Sequence, residues 1–200
     1  RWTLLSPQWS TPPRVGHMEN ITLPRRKVWS PTVFVPFWRI LITSFNPTML
    51  RFIKSFIRQH PDLYFSLAGR RESVRRLRAR EDSELVIEAF PRSANTTSVL
   101  ALFYAQGESF RVGHHLHVPA HIKYAVRHKI PCLVIMRSPL DCVASLMVMR
   151  KGGNPSDLLM DYIDFARVVE KMQEHVVIVD FNEVTQQGMG PAIEAVNRKF

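Results

Sequence analysis

Apolar positions along the chain fall into two rhythms. Short apolar-rich runs, Leu85-Val86-Ile87, Ile130 to Met136 and His175 to Phe181, have the length and β-branched content of buried strands. Between them, apolar residues recur three and four apart. Ser98 to Tyr104 follows the first run, Val143, Leu146 and Met147 follow the second, and Leu158, Leu159, Tyr162, Phe165, Val168, Val169 and Met172 mark a long amphipathic helix over 156–174. Alternation of buried strands and helices predicts an α/β fold, a three-layer parallel sheet flanked by helices, with strands at 85–90, 133–136 and 176–181 at least. A last helix is predicted from Gly190 onward.

The amino-terminal part reads differently. Prolines at 7, 12, 13, 24, 31, 36 and 47 argue against long regular elements before Pro47. The apolar stretch 33–45 is too short to span a bilayer and is interrupted by Pro36 and Arg39, so it reads as an interfacial or docking segment. Residues 48–59, with Leu50, Ile53, Phe56 and Ile57 at helical spacing, form an amphipathic helix that stops near Pro61. The domain division read here is 1–80, a proline-rich and basic extension, and 81–200, a nucleotide-binding domain.

Two strand-to-loop-to-helix corners carry the candidate chemistry. The first runs through Glu88, Ala89, Phe90, Pro91, Arg92, Ser93, Ala94, Asn95, Thr96 and Thr97. A tight turn into a helix start leaves backbone N–H groups without partners, and the helix dipole adds to their pull on an anion. Arg92 adds a planar cationic fork, and Ser93, Thr96 and Thr97 add hydroxyl donors. A plain βα turn capped by Asn95 or Thr96 is the alternative. In the second corner, Arg137 stands at the end of the strand and Ser145, eight residues on, lies in the following helix, so both can face the crevice of an open sheet. Two anion-binding corners suit a ligand with two phosphate ends. No G-x-x-x-x-G-K-[ST] is present.

This pair of corners resembles the sulfotransferase family, which uses 3′-phosphoadenosine-5′-phosphosulfate. There a P-[KR]-S-G-T-T loop wraps the 5′-phosphosulfate, and an R-x-P-x-D element with a serine eight residues beyond its arginine holds the 3′-phosphate. Arg92, Ser93, Thr96 and Thr97 match the first element, with Ala94 and Asn95 in place of the single glycine; Arg137 and Ser145 match the second. The resemblance covers about residues 83–184. It implies a P-loop nucleotide-hydrolase-like topology, cofactor contacts from Arg92, Ser93, Ala94, Asn95, Thr96, Thr97, Arg137 and Ser145, and transfer of a sulfuryl group to a hydroxyl or amine. Glu183 and Val184 resemble the family's strand-end Y-E-D-L element.

Between the corners lie His114, His115 and His117, followed by Val118 and Pro119, which resembles the family's strand and turn carrying a histidine base ahead of a proline. An imidazole titrates near neutral pH and so suits proton abstraction from a hydroxyl. In an extended segment His115 and His117 share a face and His114 points away, so at most two of the rings can look into one cleft. The resemblance implies His115 or His117 as the base and Arg92 as the charge-stabilising catalytic group, with a structural role for the histidines as the alternative. A zinc site would need a further ligand such as His121, since Cys132 and Cys142 form no C-x-x-C pair, and no metal is assigned.

Composition bounds these readings. At 46% hydrophobic residues, 200 residues bury one core, and the two cysteines sit in apolar runs as free thiols. With no signal-peptide pattern, a cytoplasmic location is expected. The charge of +10 suits an anionic cofactor, membrane or nucleic acid alike. Its densest part is the 70–80 run, where Arg71, Arg75 and Arg78 would line one helix face and meet an anionic membrane or acidic partner; nucleic acid is less favoured than a solvated face. A first residue other than Met and a chain that stops in a helix suggest a fragment, lacking the basic segment with which family members close over the 3′-phosphate. Two rival functions remain, a P-loop kinase-like phosphotransferase with Asp141 and Asp180 as metal partners, and a non-catalytic anion, nucleic-acid or lipid-binding protein.

Overall fold

A computed structural model describes residues 46–106 and 110–200. The proline-rich stretch before residue 46, with the 33–45 segment, lies outside them. By compactness the described residues divide between Arg51 and Phe52, and 52–200 make up the larger unit. The described residues of the larger unit form an α/β domain. In chain order the described elements are α1 (Pro47–Gln59), α2 (Pro61–Ala68), α3 (Glu72–Leu77), β1 (Leu85–Ala89), α4 (Asn95–Gln106), β2 (Val112–His114), α5 (Pro119–Arg127), β3 (Cys132–Met136), α6 (Pro139–Arg150), α7 (Pro155–Met172), β4 (Val177–Asp180), α8 (Phe181–Gln187) and α9 (Gly190–Lys199).

All four strands are parallel, in the order β2-β1-β3-β4. Side chains alternate across the sheet, so each strand feeds two cores. Val86, Cys132 and Val134 meet α5, α6 and α7 through Ile122, Val143, Leu146 and Phe165. Leu85, Ile87, Leu133 and Ile135 meet α4 and α9 through Val99, Leu102, Ile193 and Val196. Helices therefore cover both faces, as the unbroken apolar strands require, since a parallel sheet has no face left for water.

Proline and side-chain caps set the helix starts. Pro61, Pro119, Pro139, Pro155 and Pro191 stand in the first turn of their helices, where a missing N–H costs nothing. Ser138 and Asn154 cap α6 and α7, and Asp180 forms a capping box with Glu183. That box ends β4 one residue short of the predicted limit and turns Glu183 and Val184 into the first turn of α8. Helix α1 forms as its periodicity predicts, but its polar side faces the domain. Ser55 donates to Asp164 at 2.6 Å and Arg58 to Asp161 at 3.1 Å, while Phe52 and Phe56 stay exposed.

The arginine run departs from the predicted single face. Helix α3 spans six residues only; Arg71 and Arg78 flank it with extended backbone, and Arg75 pairs with Glu72. The helix stops because the next residue is anchored elsewhere. The Ala79 N–H reaches Nε2 of the buried His121 at 2.7 Å, which draws the chain out of helical geometry, and the Arg78 guanidinium lies 6.0 Å from the Phe65 ring centre.

Close approach at Ala79 explains Gly113 in β2. A β-carbon there would stand 2.8 Å from the N, Cα and Cβ of Ala79. Gly113→Ala is expected to destabilise the domain by about 1–3 kcal/mol through overpacking against backbone that cannot retreat. Urea unfolding would show the loss as a lower midpoint at unchanged slope.

Candidate functional site

In the order β2-β1-β3-β4 the chain passes from β1 to β2 on one side and then crosses back to β3 on the other, so the order of connection switches between β1 and β3, and ligands of open α/β sheets bind at the carboxyl ends of strands beside such a point. The loops after β1 and β3, the two corners singled out in the sequence, meet there. The Arg137 guanidinium donates from Nη1 to the carbonyl of Arg92 at 2.7 Å, and Arg92 donates from Nε to Ser145 Oγ at 2.9 Å. Arg137 is held from below by Tyr162, whose hydroxyl donates to its carbonyl at 2.7 Å, and its guanidinium lies 4.2 Å from the centre of the Phe181 ring.

Among the described residues neither Arg92 nor Arg137 has a carboxylate within ion-pair distance, and Arg137 Nε is buried without an acceptor. Two cations with unused hydrogen-bonding capacity at the mouth of a crevice favour an anionic ligand.

The first loop is strained. Arg92 and Ala94 take positive φ, 74° and 61°, in a region that favours glycine. Neither Asn95 nor Thr96 caps α4; the helix begins at Asn95, and the carbonyl of Ala94 accepts from the N–H and hydroxyl of Ser98. Ser93 turns inward, its hydroxyl 3.2 Å from Cys142 Sγ, so it supports the loop from beneath. The amide group of Asn95 is buried with neither Oδ1 nor Nδ2 partnered. Thr96 and Thr97 are exposed at the helix start.

The histidine segment corrects the extended geometry expected of it. Strand β2 ends at His114, and His115 and His117 have positive φ, 58° and 54°, so alternation fails and all three rings gather. His114 Nδ1 lies 2.5 Å from His115 Nδ1, and His115 Nε2 lies 2.9 Å from Thr96 Oγ1. Both His115 nitrogens are therefore engaged. His117 differs. Its Nδ1 lies 2.7 Å from the Ala89 carbonyl, which can only accept, so Nδ1 carries the proton and Nε2 holds a lone pair. No described residue hydrogen-bonds that Nε2.

Glu88, which the sequence reading left as part of a strand, organises this segment. Its carboxylate has no exposure to solvent, in the middle of β1. Oε1 accepts from His121 Nδ1 at 2.6 Å and from the Leu116 N–H at 3.1 Å; Oε2 accepts from the His117 N–H at 3.0 Å. Since the Ala79 N–H occupies His121 Nε2, the His121 proton sits on Nδ1 and points at Glu88. Burial acts to raise the Glu88 carboxyl, but these donors and the nearby histidines outweigh it and hold it below the ordinary range. The signal for Glu88 was a lone carboxylate inside an apolar run, an arrangement that demands buried donors. Among the described residues no group of three His, Cys, Asp or Glu is placed to hold a metal ion.

Burial, with the neighbouring His115, lowers His114 to about 4 from its ordinary value. Because the folded state disfavours its protonation, this contribution to stability is present above the unfolded pKa, near 6.5, and is lost as pH falls towards 4. His114→Gln is expected to reduce proton uptake on unfolding in that window by up to about one proton, read from the pH dependence of the thermal midpoint. A scan against protein-family models finds no match to this chain, and no curated protein matches it.

Proposed function

We propose that the protein is a sulfotransferase-like enzyme that takes a sulfuryl group from 3′-phosphoadenosine-5′-phosphosulfate to a hydroxyl or amine acceptor. The observation that carries this reading is a pair of arginines at the β1/β3 crevice, Arg137 donating to the backbone carbonyl of Arg92 and Arg92 to Ser145, with no carboxylate partner for either among the described residues. A P-loop-like arrangement follows, in which the loop after β1 and the start of α4 face one phosphate and the loop after β3 faces the other.

The residues fit the donor by charge and by unused donors. Arg137 and Ser145 would hold the 3′-phosphate, and Arg92, the loop amides and the hydroxyls of Thr96 and Thr97 the 5′ end. Ligand oxygens would then replace the Arg92–Ser145 contact. The donor supplies an activated sulfuryl group, and its transfer releases adenosine 3′,5′-bisphosphate. His117 Nε2 accepts the acceptor's proton as the new bond to oxygen or nitrogen forms, while Arg92 stabilises charge on the departing phosphate. Positioning and charge stabilisation are the protein's main tasks, by analogy with phosphoryl transfer. His117 is favoured over His115 because its Nε2 is unengaged and its tautomer is set.

Adenosine 3′,5′-bisphosphate at a hundredfold excess over its Kd should stabilise the chain by about 2.7 kcal/mol in a thermal-shift measurement, with ADP and Mg²⁺ giving no comparable shift. The opposite pattern would favour a kinase-like phosphotransferase, and no shift with either would remove the nucleotide reading. Arg137→Ala should weaken the bisphosphate by about 1.5–3 kcal/mol and leave adenosine 5′-phosphosulfate, which lacks the 3′-phosphate, nearly unchanged. Calorimetric titration of both ligands checks this, and equal losses would place Arg137 elsewhere in the mechanism.

His117→Ala should lower turnover by about two to four orders of magnitude while nucleotide affinity persists. His115→Ala should cost far less. Labelled donor and a panel of phenols, aliphatic alcohols and amines provide the assay, and near-normal turnover in His117→Ala would show that another group is the base.

A further inference from the structure

Glu88 and His121 form a buried pair that the proposed transfer chemistry does not itself use, and neither touches the crevice. The geometry points to a positioning role: this pair sets the orientation and tautomer of His117, an inference that rests on the reading of His117 as the base. Both side chains are fully buried, Glu88 on β1 and His121 on α5.

The pair ties β1 and α5 to the loop after β2. One Glu88 oxygen takes the His121 proton and the Leu116 N–H, and the other takes the His117 N–H. Two successive amides are thereby drawn to one carboxylate, at the point where His117 adopts its left-handed conformation. The same strand supplies the Ala89 carbonyl to His117 Nδ1, so backbone and ring are gripped by adjacent residues of β1. From the other side Arg58 donates to the His117 carbonyl at 2.9 Å. His121 is fixed in turn by the Ala79 N–H on Nε2, which leaves it one way to face Glu88. A neutral amide in place of the carboxylate would turn its NH₂ group either towards the Leu116 and His121 donors or towards the Ala89 and His117 amides, setting donor against donor in a dry site.

Glu88→Gln tests this, with two separate readouts. Histidine ring ¹⁵N–¹H NMR of the full chain should show the parent His117 as one tautomer, protonated at Nδ1; in Glu88→Gln it should become a mixture. Turnover should fall about 10- to 100-fold through kcat, with KM and bisphosphate affinity within about twofold, as expected when a reacting group is misplaced but the nucleotide site is intact. His121→Asn, whose amide can still donate to Glu88, should keep the His117 tautomer and most turnover, whereas His121→Leu should lose both. The two His121 variants also decide the matter if Glu88→Gln does not fold. A single Nδ1-protonated His117 tautomer in Glu88→Gln or His121→Leu overturns the inference. If the parent chain transfers no sulfuryl group and binds no bisphosphate, the enzymatic reading falls, and with it the role given to His117; the NMR arm still reports whether Glu88 orients that ring.

Discussion

A carboxylate without access to water, in the centre of a parallel sheet, has to be answered by donors from its own chain. Glu88 stands on the face of β1 that packs under α5, and an isolated buried charge there would be prohibitively costly. Its donors come from three places in the sequence: His121 at the start of α5, the Leu116 and His117 amides of the loop after β2, and the neighbouring Ala89 amide of β1 itself. The requirement reaches further through His121, whose second nitrogen holds Ala79 and so fixes where the arginine-rich segment leaves α3. Gly113 belongs to the same arrangement, because only its missing β-carbon lets that segment lie against β2.

Around this polar interior the rest of the domain is ordinary hydrophobic packing. Two apolar cores, one on each side of the sheet, hold β1 and β3 in place, and the carboxyl ends of those strands deliver Arg92 and Arg137 to one crevice. Among the described residues no carboxylate pairs with the two arginines there, while acidic residues elsewhere pair with other cations, as Asp62 with Arg127 and Asp161 with Arg58. The crevice and the buried carboxylate meet in the histidine loop, where His115 reaches Thr96 of the first corner and His117 hangs from β1. The strain of four left-handed residues, Arg92, Ala94, His115 and His117, is concentrated in these two loops. Among the described residues, no helix is long and apolar enough to cross a membrane.

Local sequence determined much of this protein. Apolar runs without alternation implied strands buried on both faces, and the spacing of Leu158, Tyr162, Phe165 and Val169 implied the long helix α7, because both periodicities belong to the backbone itself. Prolines and caps marked helix starts for the same local reason. The two corners were legible because a short strand must hand its chain to a turn and a helix within a few residues. What tertiary structure decided was every feature that depends on partners distant along the chain. Periodicity predicted one arginine face, but an anchor on His121, some forty residues away, ended α3 after six residues. Alternation put His115 and His117 on one side and His114 on the other, but Glu88 drew the amides of Leu116 and His117 inward and bent the segment out of extended form. Which histidine keeps a ring nitrogen without a partner among the described residues likewise had no local signal, since it rests on which ring meets Thr96 and which meets the Ala89 carbonyl. Hydrogen bonds to buried groups are made in space, and a linear pattern of residue types carries their demand but not their direction.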